Sequence, residues 1–220
     1  MDNERILFFE PDVHRKLILY ARHLFAPEDN VLIQAQRKGD EAGLPIMQIR
    51  PEEGQMLQFL VAAVGAKRVL EIGTLAGYSG IWMARALPTD GKLITLEMDP
   101  KHAAVARQNF ELAQVADRVE IIEGKAIDSL HKLDHSAPFD LVFIDADKES
   151  NMAYLEWSIA HVRSGGLITA HNAFREGALL ENNPKANITR QYLERTAQDE
   201  RLHSSTIIPV GDGIAVAVVR

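Results

Sequence analysis

Acidic side chains lie at the ends of two consecutive apolar segments and are suited to hold a cationic ligand. The first segment, Val69–Ile72, contains Glu71 and leads into a turn that begins at Gly73. Glu97 ends the second segment. It lies as far along the chain from the turn as the residue that holds the ribose hydroxyls in α/β nucleotide-binding sites. The turn reads Glu-x-Gly-x-x-x-Gly, which differs from the G-x-G-x-x-G dinucleotide fingerprint. A carboxylate there would repel a pyrophosphate, whereas S-adenosylmethionine (SAM) carries an ammonium and a sulfonium and no phosphate. The spacing favours SAM over a tight turn with an incidental acid.

A second set of polar residues follows two later apolar segments. Asp145 comes directly after one segment, and His171 and Asn172 come after the next. An unpaired carboxylate beside buried apolar residues is costly, so Asp145 needs a cation, a hydrogen-bond donor or a metal ion. Lys148 lies three residues further on and can point to the same place. We therefore expect Asp145, His171 and Asn172 to meet and to offer oxygen and imidazole ligands to a divalent ion.

Strand and helix patterns alternate along most of the chain, which indicates a parallel sheet with helices on both faces. The predicted strands are Val69–Ile72, Leu93–Glu97, Val119–Glu123, Leu141–Ile144, Gly166–Thr169, Ser204–Val210 and Ile214–Val219. Because Gly211-Asp212-Gly213 is typical of a hairpin turn, we expect the last two strands to be antiparallel. The prediction is a seven-stranded, mostly parallel α/β sheet with extra N-terminal helices. It forms one domain over residues 1–220, with a helical appendage (1–45) and a SAM-binding core (46–220).

Composition narrows the classes of partner. The chain has 220 residues, a net charge of −7 and no cysteine. Net acidity counts against a surface built for nucleic acid or anionic membrane, and the lack of cysteine excludes disulfides and thiolate chemistry. We expect a cytoplasmic location, because the N-terminus lacks a signal-peptide pattern and no apolar run reaches the ~20 residues that span a bilayer. Three roles are open for the N-terminal helices: to cover a sheet edge, to form a dimer contact, or to form one wall of a substrate pocket. The sequence does not choose among these roles.

Several motifs together resemble the class I SAM-dependent O-methyltransferases of the catechol and caffeoyl-coenzyme A type. They are Met47-Gln48-Ile49, Pro51–Gln55, Glu71–Ser79, Leu96–Pro100, Phe143–Lys148 and Gly165-Gly166. The resemblance covers nearly all of the chain after about residue 40. It implies a Rossmann-like fold, methyl transfer to a hydroxyl of a small aromatic vicinal diol, and assistance by a divalent cation. A homodimer is also expected.

The resemblance also implies a role for each site residue. The residues that would contact SAM are Glu71, Ser79, Ile49, Gly73 and Thr74 at the methionine end, Glu97 at the ribose, and Met98, Lys125 and Ala126 at the adenine. Asp145 would lie near the SAM amino group and bind the metal together with Asn172. Lys148 would be the general base that removes the hydroxyl proton.

One departure affects the metal prediction. The family pattern after the fifth strand is Asp-Asn, and this chain has His171-Asn172. Imidazole suits manganese, zinc, nickel or iron better than magnesium, which favours an all-oxygen shell. The alternatives are a site for a softer metal with His171 as a ligand, a weakened site, or no metal and a histidine that acts on the substrate. We interpret the other seven histidines as surface or core residues.

Two other functions remain open from the sequence. One is methylation of a hydroxylated tRNA base, which the net acidity disfavours. The other is a SAM-binding protein that has lost catalysis through the change at His171, which the presence of Asp145 and Lys148 disfavours.

Overall fold

The computed structural model describes residues 10–136 and 138–220. Residues 1–9 lie outside the described residues. They include the start of the predicted appendage and the N-terminus on which the signal-peptide expectation rests. The helices are α1 (Pro11–Phe25), α2 (Asn30–Glu41), α3 (Pro51–Ala63), α4 (Tyr78–Ala86), α5 (Pro100–Leu112), α6 (Ala126–Lys132), α7 (Asn151–His161) and α8 (Pro184–Gln198). The strands are β1 (Arg68–Ile72), β2 (Lys92–Glu97), β3 (Val119–Glu123), β4 (Phe139–Ile144), β5 (Val162–Ala170), β6 (Leu202–Ile208) and β7 (Ile214–Val219).

The seven strands form one sheet in the order β3-β2-β1-β4-β5-β7-β6. The first five pair in parallel, and β7 lies antiparallel between β5 and β6. This confirms the predicted mostly parallel sheet with an antiparallel C-terminal hairpin. Within the described residues no helix is long and apolar enough to cross a membrane.

Successive residues of β1 point into two separate cores, as expected for a strand covered on both faces. Val69 packs in a core with Leu57 of α3 and Trp82 of α4. Leu70 packs on the other face with Leu155 of α7 and with Leu130 of α6. The rigid sheet between these cores carries the polar residues that follow its strands.

The parallel ladder continues one residue beyond each of four strands. The four backbone hydrogen bonds are Gly124 N to Glu97 O (2.9 Å), Gly73 N to Leu96 O (3.0 Å), Asp145 N to Ile72 O (2.8 Å) and His171 N to Ile144 O (3.0 Å). The first residue after each strand is therefore held in register with its neighbour. As a result, the turns that carry candidate site residues start from a common edge.

Gly73 is the tightest point of this edge. Its φ of 100° lies in the region that favours glycine, and an added Cβ would overlap the backbone carbonyl oxygen of Asp145. The ends of β1 and β4 can therefore approach only because residue 73 has no side chain.

Some element boundaries differ from the prediction. β5 begins at Val162, four residues before the predicted start, because Val162 already pairs with Phe139 of β4. The segment 173–186, predicted to be a loop, contains a 3-10 helix at Arg175–Leu180 and the start of α8. α8 begins at Pro184 and not at Ile188, since the Asn183 side chain accepts a hydrogen bond from Ala186 N (2.8 Å) and caps the helix.

We predict that Gly73→Ala destabilises the fold more than Gly65→Ala does. Gly65 also has a positive φ, of 63°, but a Cβ there would meet no atom within 4 Å. Gly65→Ala should therefore cost only the left-handed backbone penalty, about 1–2 kcal/mol. Gly73→Ala adds overpacking of about 1–3 kcal/mol. Urea unfolding of both variants measures the difference, and equal losses would show that the close approach to Asp145 carries no energetic weight.

Candidate active site

A cavity of about 1010 Å³ lies at the carboxyl edge of the parallel strands. It brings together every predicted site residue except Glu71. Those on its wall are Ile49, Gly73, Thr74, Ser79, Glu97, Met98, Lys125, Ala126, Asp145, Lys148, His171 and Asn172. Residues that are up to 123 positions apart in the chain thus face one space, as expected for a ligand site in an open α/β sheet.

Glu97 is held at the end of β2 by backbone donors. Its Oε2 accepts hydrogen bonds from Thr74 N (3.1 Å) and Leu75 N (2.8 Å), and its Oε1 accepts one from Asp99 N (2.9 Å). The carboxylate therefore joins the turn after β1 to the start of α5. Met98 follows with 68% of its surface exposed, so it is free to contact a flat ligand.

His102 is a wall residue that the sequence analysis missed. Its Nδ1 lies 3.4 Å from Glu97 Oε1, and the residue lines the same cavity. Asp99 caps α5 by accepting from Lys101 N, which places His102 in the first turn of the helix, next to Glu97. The sequence contained a signal for this contact. When an acid at a strand end is followed by a capped helix, the side chains of the first helical turn lie close to the acid.

Glu71 lies beneath the cavity floor and not on its wall. Its side chain is fully buried and accepts hydrogen bonds from Ser79 Oγ and from Thr95 Oγ1, the latter at 2.7 Å. Burial raises the pKa of Glu71 to about 8, so the carboxyl is mostly protonated at neutral pH. Glu71 can therefore reach a ligand only through Ser79, which does line the cavity.

Four acidic and basic groups alternate along the cavity wall, and we call them the charge chain: Glu53, His171, Asp145 and Lys148. His171 Nε2 lies 2.9 Å from Glu53 Oε1, and its Nδ1 lies 3.3 Å from Asp145 Oδ2. Lys148 Nζ lies 3.4 Å from Asp145 Oδ1 and 3.4 Å from the His171 carbonyl oxygen. Each carboxylate thus faces a nitrogen base, and His171 lies between two carboxylates.

Burial and charge act in opposite directions on these groups. Burial alone would lower the pKa of His171, but the carboxylates of Asp145 and Glu53 raise it to about 9. Burial would raise the pKa of Asp145, but His171 and Lys148 hold it below its usual value. Burial would also raise the pKa of Glu53, but the hydrogen bond and charge of His171, together with the backbone hydrogen bonds from Arg50 and Asp212, lower it. The histidine is therefore an imidazolium between two ionised carboxylates at neutral pH.

Glu53 is the second functional residue that the sequence analysis missed. It is buried in the first turn of α3, where it accepts hydrogen bonds from Arg50 N (2.7 Å) and Asp212 N (2.7 Å) as well as from His171. A Cβ at Gly211 would overlap the Glu53 carboxylate, so the hairpin turn packs directly on it. An acid in the first turn of a helix is ordinarily explained by its interaction with the helix dipole. For that reason the sequence analysis did not assign Glu53 a role in the site.

Asn172 turns its side chain toward the hairpin. Its Nδ2 donates to Asp212 Oδ2 at 2.9 Å, and the residue has a φ of 59°. Its side chain remains on the cavity wall but is tied to the β6–β7 turn.

These contacts do not fit the predicted divalent cation. One oxygen of Asp145 faces the Lys148 amine and the other faces His171, and both nitrogens of His171 face carboxylates. The Nδ1 atom is shielded from solvent and lies 3.3 Å from Asp145 Oδ2, so a cation between these two side chains would have to push them apart. Across residues 10–136 and 138–220, no three histidine, aspartate or glutamate side chains are grouped so as to hold a metal ion.

Comparisons with known proteins agree with the fold. The model of the O-methyltransferase family matches residues 23–220. A catechol O-methyltransferase of Niastella koreensis is 42% identical over 91% of this chain and 95% of its own length. One of Mycobacterium tuberculosis is 44% identical over 88% of this chain and 90% of its own. The crystal structure of an O-methyltransferase from Bacillus cereus with S-adenosylhomocysteine (SAH) superimposes with a TM-score of 0.86 at 40% identity, over 93% of this chain and 97% of that one.

The Rossmann-like sheet, the cavity at its carboxyl edge and these matches define a class I methyltransferase. The chain belongs to the O-methyltransferase family and is a SAM-dependent enzyme.

We predict that Glu71→Gln removes a pH dependence of stability. The pKa of Glu71 is about 8 in the folded protein and near 4.5 when unfolded, so the folded state binds the extra proton between these values. The free energy of unfolding of the wild type should therefore fall as pH rises through this window, by up to about 1.4 kcal/mol per pH unit from this group. Glutamine does not titrate, so the free energy of unfolding of the variant rises relative to that of the wild type as pH rises.

Urea unfolding at several pH values measures this difference. Glu120→Gln, a change at an exposed position of β3, is the control and should parallel the wild type. A Glu71→Gln profile parallel to that of the wild type would contradict a protonated Glu71.

Proposed function

We propose that the enzyme transfers the SAM methyl group to a hydroxyl of a small aromatic vicinal diol, with Lys148 as the general base. The observation that carries this proposal is the position of the Lys148 amine. It lies 3.4 Å from Asp145 and lines the same cavity as Glu97 and Ser79. The names of the two relatives, both catechol O-methyltransferases, support the substrate class.

In this proposal SAM lies along the ends of β1 and β2. Ser79 and the backbone of Ile49, Gly73 and Thr74 hold its methionine end, and Glu71 positions the Ser79 hydroxyl from below. Asp145 faces the amino group. The ribose hydroxyls contact Glu97, and the adenine lies among Met98, Lys125 and Ala126.

The chemistry needs a base and an aligned acceptor more than a bond-breaking group, because the sulfonium is already a good leaving group. A phenolic hydroxyl has a pKa near ~10, so it must lose its proton as it attacks. The neutral Lys148 amine takes that proton while the oxygen–methyl bond forms and the carbon–sulfur bond breaks, which leaves the methyl ether, SAH and an ammonium. Holding the oxygen behind the methyl group contributes several kcal/mol.

The second hydroxyl of the diol would contact Asn172 at the same wall. A cation between Asp145 and Asn172 was expected from the sequence, but both oxygens of Asp145 already face nitrogens of His171 and Lys148, so no step is assigned to a metal.

Lys148→Ala should lower kcat by about 10²–10⁴-fold, the usual contribution of a general base. SAM affinity should stay unchanged, since the residue faces the acceptor. Transfer of a labelled methyl group from SAM to catechol measures the first quantity, and calorimetric titration with SAM measures the second.

Lys132→Ala, at an exposed position of α6, is the matched control and should behave as the wild type. A loss of SAM binding as large as the loss of turnover would contradict the role of Lys148 as base. The absence of any transfer by the wild type to catechol would count against the substrate class.

We also propose a homodimer formed through α1. None of the residues of α1 is buried, and its apolar side chains include Leu17 (43% exposed), Leu24 (53%) and Phe25 (65%). An apolar patch of this kind on a chain marks an interaction surface. The salt bridge between Arg22 and Glu52 (2.7 Å) fixes α1 against α3, so the patch is presented by an ordered helix.

The wild type should sediment as a dimer in analytical ultracentrifugation. The double change Leu17→Glu and Leu24→Glu should shift it to the monomer, because it places charges in the buried contact. Lys16→Glu, on the same helix, controls for added negative charge and should leave the dimer intact. A monomeric wild type at micromolar concentration would refute the proposal.

A further inference from the structure

The charge chain is fixed on every side by groups other than the substrate. Glu53 cannot turn away from His171, since it also accepts hydrogen bonds from Arg50 N and Asp212 N. The backbone of His171 is bonded to Ile144 O, and its side chain is 6% exposed. The imidazole ring is therefore held between the carboxylates of Glu53 and Asp145 before any ligand binds.

The ring takes up the space and the contacts that a cation beside Asp145 would need. Asp145 Oδ2 faces His171 Nδ1 at 3.3 Å, and Asp145 Oδ1 faces Lys148 Nζ at 3.4 Å. Each oxygen of this carboxylate therefore already has a nitrogen neighbour.

We propose that His171 replaces a divalent cation in this enzyme, so that methyl transfer needs no metal. The proposal rests on the proposed methyltransferase function and assigns His171 as a positioning residue. Its ring lies between Glu53 and Asp145 and orients the Asp145 carboxylate from the position beside it.

The first test uses the wild-type enzyme freed of metal with EDTA and gel filtration. Its rate of methyl transfer from SAM to catechol should be the same in excess EDTA as with added MgCl₂ or MnCl₂. A rate that EDTA abolishes and either metal restores would overturn the proposal. Calorimetric titration with MgCl₂ and MnCl₂ gives a second measurement that does not depend on activity, and saturable binding by the wild type at the site would also overturn it.

The second test is His171→Asp, which removes the imidazole between Glu53 and Asp145 and places a third carboxylate there. Neighbouring carboxylates repel one another, and a divalent ion relieves that repulsion. We expect this variant to bind Mg²⁺ and to lose activity by more than about 10-fold without it, because uncompensated buried charge is strongly unfavourable. His203→Asp, at an exposed position of β6, is the matched control and should show neither effect. Metal dependence that is the same in His171→Asp and in the wild type would contradict the role of His171.

The two proposals fail in different ways. If the wild type transfers no methyl group with or without metal, the proposed function fails, and the metal titration still decides the role of His171. If His171→Asp does not fold, the wild-type measurements alone decide the role of His171.

Discussion

The constraint on which the site depends is the continuation of the parallel ladder beyond the strands. Four backbone hydrogen bonds hold Gly124, Gly73, Asp145 and His171 in register at one edge of the sheet. The first residue of each turn is therefore held as rigidly as the sheet, although it belongs to a turn that contributes to the site. Functional side chains placed in this way need little further ordering when a ligand arrives, which lowers the entropic cost of binding.

The acids near the carboxyl edge of the sheet are stabilised in different ways. At the first strand, Glu71 is sealed among hydroxyl groups and keeps its proton. At the fourth, Asp145 is ionised and is compensated by His171 and Lys148. Glu97 takes a third solution and accepts hydrogen bonds from backbone amides. Three carboxylates on one edge thus have three environments, and only those of Glu97 and Asp145 leave a charged group at the cavity wall.

The sheet and most of the cavity were predictable because both depend on local patterns. Apolar runs gave the strands, and the rule that ligands lie beyond strand ends identified the residues of the wall. What could not be predicted depends on contacts between distant segments. Glu53 lies 118 residues from His171, and no local pattern connects them. The depth of Glu71 behind Ser79 and the turn of Asn172 toward Asp212 likewise emerge only when helices pack on the sheet. The role of His171 was left open between a metal ligand and a group that acts without metal, because no local pattern places the Glu53 carboxylate on the other side of its ring.

The place of β7 in the sheet has a consequence for synthesis on the ribosome. β7 is inserted between β5 and β6, and the turn before it supplies the Asp212 amide that holds Glu53. A nascent chain that has emerged only as far as residue 200 therefore has an open edge on β5 and a charge chain with one support missing. Such an edge is a site for pairing with other chains, so translation of the last strands and protection from aggregation are coupled. The enzyme gains its finished site and closes this edge in the same step of its biogenesis.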